Sequence, residues 1–125
     1  MSEILIPVSL GELYDKISIL EIKLNNITSS EKIANITKEW NKLIPISEKF
    51  PINKDLFKSL KEINQRIWSA EDRLREMESE GLFDDEFIDL ARQVYLLNDE
   101  RSKIKREINL KYNSDIIEEK LYTKY

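Results

Sequence analysis

NKDLFKSLKEINQRIWSAEDRLREMESEG, residues 53–81, places Leu56, Leu60, Ile63, Ile67, Ala70, Leu74 and Met77 at alternating steps of four and three. That spacing lays one apolar stripe along an α-helix and leaves charge on the remaining faces. Asn53 is positioned as the N-cap, and Gly81 stands where a left-handed residue ends a helix. The expected helix has about 27 residues and a length of roughly 40 Å.

The stretch after Gly81 repeats the pattern in reverse direction. Asp84 caps a second long helix, with Phe83 and Ile88 placed as a hydrophobic staple. Its seam runs Phe87, Leu90, Val94, Leu97, Arg101, Ile104, Ile108, six apolar positions and one cation. A link as short as EGLFD predicts an antiparallel helical hairpin. In the expected register Asp72 faces Arg92, Arg75 faces Asp89 and Glu62 faces Arg101, each pair of opposite charge.

Upstream, Ser9 and Glu12 form the S-x-x-E capping box, and Leu10, Leu13, Ile17, Leu20, Leu24 and Ile27 give a coiled-coil-like seam. Ile19 and Ile22 lie off that seam, so this helix meets more than one neighbour. Thr28 with Glu31 predicts a further cap, and Ile33, Ile36, Trp40 and Leu43 supply the next seam. Pro45 is expected to stop that helix, leaving residues 45–53 as a connector. The fold class predicted is all-α: an antiparallel helical bundle in a single domain, residues 1–125, with a long hairpin and a short terminal β-strand element.

The strand expectation comes from Glu3 to Val8, a β-prone run apolar on both faces, with Pro7 confining it to a sheet edge or strand end. KLYTKY, residues 120–125, offers a second β-prone piece. Pairing of the two, within a chain or between chains, together with the surplus apolar residues Ile19, Ile22, Leu96 and Leu110, predicts a homodimer.

Composition narrows the chemistry. Charged residues make up 35% of the 125, against roughly 25% in an ordinary domain, while 41% hydrophobic residues suffice for a core. The 24 acidic and 20 basic residues are interspersed, with a net charge of -4 and no basic stripe, which argues against nucleic acid. With neither cysteine nor histidine, disulfides, thiolate nucleophiles, His or Cys zinc sites and Ser-His triads are excluded. No apolar run is long enough to span a bilayer and no basic leader precedes one, so the expected location is cytoplasmic, away from membranes. No cofactor and no metal is expected.

Three sets of residues bear on function. Asn64, Asn98 and Arg101 sit on or beside apolar seams, with Arg66, Asp72 and Asp99 near them on the hairpin. Read functionally they line a small-anion pocket; the plainer and preferred reading is that they pair with one another and fix helix register. The acidic positions include one E-x-x-D, Glu86 to Asp89, as in all-α nucleotide pyrophosphatases, but the matching E-x-x-E is missing from the facing helix, and solvated helix ends account for it better. The basic run Lys103, Lys105, Arg106, Lys111 lacks the interleaved aromatics of a single-strand groove. Helical chorismate mutases offer an architectural analogy, with Lys16, Lys23, Arg66 and Arg101 as clamps for a dicarboxylate. The function favoured is a helical scaffold or protein-interaction module; the alternative is a small-anion or nucleotide-binding enzyme.

EILIPVSLGELYDKISILEIKL, EINQRIWSAEDRLREMESEGLFDDEFIDLARQVYLLNDERSKIKREIN and the closing EEKLYTKY together resemble an uncharacterised bacterial family of small helical proteins. The likeness covers the chain except roughly residues 30–58. It implies that Asp15, Lys16, Glu71, Asp72, Arg92, Asn98, Asp99, Arg101 and Lys105 are pattern positions of that family. It implies no activity.

Overall fold

Each helix begins on a side chain that captures one of its free amides. The structure, a computed structural model, describes residues 2–125, which form α1 (Leu10–Asn26), α2 (Ser30–Lys49), α3 (Lys54–Glu80) and α4 (Asp85–Lys111). Ser9 Oγ accepts from the Glu12 N–H, Asn53 Oδ1 from Asp55 and Asp84 Oδ1 from Phe87. Gly81 ends α3 with φ of 68°, and the Leu82 N–H returns to the Met77 carbonyl at 2.9 Å. The cap of α2 is Ser29 rather than the expected Thr28.

The α3–α4 hairpin forms as its seams require. Ile63, Ile67 and Leu97 make one buried cluster and Tyr14, Leu60 and Ile108 another, with Ile104 packed against both. Helix α1 touches all three other helices, whereas α2 touches only α1 among them. Tyr14 anchors that arrangement: its ring meets Phe57 edge-on at 5.9 Å, and its hydroxyl donates to the carbonyls of Phe50 (2.7 Å) and Ser47 (3.1 Å). Burial, with the neighbouring Tyr112 phenol, raises the Tyr14 pKa above the ordinary tyrosine value.

Three sequence expectations give way. Pro45 does not stop α2, which continues to Lys49 with the proline on its exposed side. The carbonyl that loses its donor belongs to Asn41, itself an exposed residue, so water can satisfy it. No strand occurs among the described residues. The run from Glu3 is tied to α2 by an ion pair between Glu3 and Lys42, while the closing segment lies along α4. Because α2 does not touch α4, the two β-prone pieces rest on different parts of the molecule and cannot zip together within one chain. Finally, none of the three expected charge pairs of the hairpin forms an ion pair among the described residues. Arg73 pairs with Glu86 at 2.9 Å, and Arg101 meets Asn64 rather than Glu62. At the hairpin tip Phe83 packs edge-on against Phe87.

Candidate functional site

The site is a polar junction where the start of α1 meets α3 and α4, and a glycine makes it possible. A Cβ on Gly11 would stand 2.5 Å from the Lys105 carbonyl oxygen, so only glycine lets the two backbones approach this closely. The approach places the first amides of α1 within reach of α4 and of the turn at its C-terminal end. Gly11 N–H donates to Asn109 Oδ1 at 2.7 Å, and Leu10 N–H donates to Ser114 Oγ at 3.0 Å. Asn113, in the left-handed region at φ 53°, turns the chain so that Ser114 reaches that position. Two donors orphaned by helix geometry are thus satisfied from 98 and 104 residues away.

Behind Gly11, the stripe Gly11, Asp15, Ser18, Ile22 faces inward along its whole length, every member buried. Asn64 of α3 reads it: its Nδ2 donates to Asp15 Oδ1 and to Ser18 Oγ, both at 2.7 Å. Asn64 Oδ1 in turn accepts from the Arg101 guanidinium at 3.1 Å, which also donates to Asn98. Lys105 is buried to 7% exposure and is ringed by carboxylates: Glu12 at 2.7 Å, Glu118 at 3.0 Å and Asp15 at 3.9 Å. Burial, the largest single influence, opposes its charge. The hydrogen bonds from Glu12 and Glu118, with the Asp15 and Glu12 charges, outweigh burial and hold the pKa above the ordinary lysine value. The Glu12 carboxylate is therefore spent on Lys105 and on Lys16 (3.7 Å) rather than on closing the capping box.

The segment Asp115–Tyr125 lies across this junction as a strap without regular secondary structure. It runs antiparallel to α4. Glu118 meets Lys105, Glu119 meets Arg106 at 2.6 Å, Tyr122 Oη lies 3.2 Å from Ser102 Oγ, and Tyr125 bonds Asp99 and packs edge-on against Tyr95. That bond to Asp99 pushes the Tyr125 pKa up to about 12. Between strap and helix lies a cavity of about 300 Å³. Asn109 lines it and is fully buried, and its Nδ2 has no acceptor among the described residues.

Of the residues singled out in the sequence, the structure brings Asn64, Asn98, Arg101 and Lys105 into this junction, with Asp99 at its margin under Tyr125. Lys16 touches it only through Glu12. Lys23 lies in the last turn of α1, and Arg66, Asp72 and Arg92 lie on the hairpin, outside the junction's contacts. Glu86 of the E-x-x-D is held by Arg73, and among the described residues no three carboxylates converge as a cation-holding group. Sequence reasoning missed Gly11, Glu12, Ser18, Asn109 and Glu118 as parts of a site. The 11–15–18–22 spacing was a visible signal, because it is helical periodicity carried by small and polar residues instead of leucines.

No curated protein and no solved structure shows detectable similarity to this chain. One family model matches residues 4–125, nearly the whole length and including every residue of the junction. The chain belongs to the family of unknown function DUF6165.

Proposed function

We propose that the protein is a helical interaction module that self-associates through the β-prone run at residues 3–6. The observation that carries this is the exposure of Ile4 (83%), Leu5 (84%) and Ile6 (68%), three consecutive large apolar residues set out in water on a segment with no regular secondary structure. Apolar surface of this kind on a β-prone segment is costly unless something covers it. Its main-chain donors and acceptors suit addition of another strand. A second copy of the same run, paired antiparallel about a two-fold axis, meets both needs with one surface. Pro7 limits the ladder at its far end. The polar junction then serves to hold α1, and with it the start of this run, at a fixed place on the hairpin.

Sedimentation equilibrium between 1 and 100 μM tests the proposal. The expected result is a concentration-dependent dimer that Ile4→Asp with Ile6→Asp converts to monomer. A chain that is monomeric throughout, or a dimer indifferent to those substitutions, contradicts it.

A further inference from the structure

We infer that the cavity between α4 and the strap is a binding site for a small dicarboxylate, and that Glu118 and Glu119 occupy its two seats in the ligand-free chain. This is independent of self-association through Glu3–Ile6. The stripe Ser102, Lys105, Asn109 forms one face of α4, with Arg106 beside it. Consecutive glutamates of the strap deliver one carboxylate to Lys105 and one to Arg106.

Charge counting shows why those seats need filling. Around Lys105 the cations Lys16, Arg101 and Lys105 stand against Glu12, Asp15 and Glu118, three of each sign. Lifting Glu118 away leaves one positive charge in excess beside a buried lysine, and lifting Glu119 frees Arg106. Lys105 then keeps Glu12 but loses one charge-assisted hydrogen bond, so the open seat favours another carboxylate. One of the two glutamate contacts of the strap is weak: the Arg106–Glu119 pair is largely exposed, and exposed pairs contribute about 0–1 kcal/mol. The seat is therefore built more firmly than its occupant.

Asn109 supplies a reason for a ligand that the strap does not satisfy. Its Oδ1 is committed to the Gly11 amide, which fixes the orientation of the side chain and leaves Nδ2 as a donor facing no acceptor. Buried donors of this kind are rare in folded proteins and ask for a partner. That atom is fully buried in the ligand-free chain, so a carboxylate oxygen supplies the acceptor only once the strap has moved aside. The cavity volume of about 300 Å³ is at the small end of ligand sites, which run roughly 300–1,000 Å³, and suits a ligand of a few carbon atoms.

The test is titration of the 125-residue chain with succinate, by calorimetry and by the side-chain amide resonance of Asn109. The double variant Glu118→Gln, Glu119→Gln empties the seats of charge while keeping the strap. It is expected to bind succinate at least tenfold more tightly than the wild-type chain, with the Asn109 amide shifting on saturation. Adding Arg106→Gln, an exposed substitution that leaves the core alone, is expected to reverse the gain. Equal affinity of wild type and double variant, no effect of Arg106→Gln, an unmoved Asn109 amide, or inorganic phosphate binding as tightly as succinate would each overturn the assignment.

Discussion

Gly11 and Lys105 meet backbone to backbone, with no room between them for a methyl group. Glycine is a poor helix residue, and replacing it by alanine in an open helix ordinarily stabilises by about 1 kcal/mol. Here the sign reverses. Gly11→Ala forces α1 away from α4 and breaks the Gly11–Asn109 bond, so a net loss of about 2–3 kcal/mol is expected in urea unfolding. Gly81→Ala is the control: it meets no neighbour but keeps a φ of 68°, and costs about 1 kcal/mol through that strain alone.

Asn64 of α3 hydrogen-bonds to α1 and to α4 at once. Asn64→Ala leaves the Asp15 carboxylate buried with its nearest donor gone, and the expected loss is about 2–3 kcal/mol. Arg101→Ala costs less, since that side chain is only partly buried. A double-mutant cycle over the two positions is expected to show coupling of about 0.5–1.5 kcal/mol; strict additivity would mean that the Asn64–Arg101 bond contributes nothing.

Lys105 ties stability to alkaline pH. Its folded pKa stands above the unfolded value, so protonation favours the native state. That contribution is complete below about pH 10, the unfolded lysine range, and is lost as pH rises through the folded value. Tyr125 acts in the same direction, because its neutral hydroxyl donates to Asp99 and ionises only near about 12. Denaturation midpoints measured from pH 7 to 11.5 are expected to fall at the upper end, and Lys105→Met should flatten that fall. Absorbance titration is expected to lose its latest tyrosine step in Tyr125→Phe.

Pro45 sits within α2 at a point where the helix gains nothing from it. Pro45→Ala restores a donor to the Asn41 carbonyl, and a stabilisation of about 1–2 kcal/mol is expected, part of the roughly 3 kcal/mol helix cost of proline being offset by its stiffening of the unfolded chain. Thermal unfolding monitored by circular dichroism checks it; an unchanged or lowered midpoint would show that the α2 end is held by tertiary contacts alone.

Much of this architecture was legible because leucine and isoleucine stripes declare helices without reference to anything distant. The seams of α3 and α4 and the caps at Ser9, Asn53, Asp84 and Gly81 are local facts. Thr28 and Pro45 misled because caps compete between neighbours and because a proline facing water costs a helix less than one facing a core. The β expectation failed for a different reason. Propensity favours a strand over residues 3–8, where the chain takes no regular secondary structure, and only tertiary structure says that α2 and α4 receive the two β-prone pieces. The junction was legible in part: Asn64, Asn98 and Arg101 stood out as polar intruders on apolar seams. Gly11 and Ser18 left only the 11–15–18–22 periodicity as a signal and Asn109 none, because a small or neutral residue does not name its partner, here up to 98 residues away, until the two are placed side by side.

That the polar junction pins α1 to α4 is tested most directly by native-state hydrogen exchange at the Gly11 amide. First-turn amides have no partner inside their own helix and ordinarily exchange quickly. The Gly11 amide is expected to be protected to nearly the same degree as Leu60 and Ile108 in the core. Exchange at close to the unprotected rate, while those two amides remain slow, would show that α1 frays from α4 and that the junction does not hold.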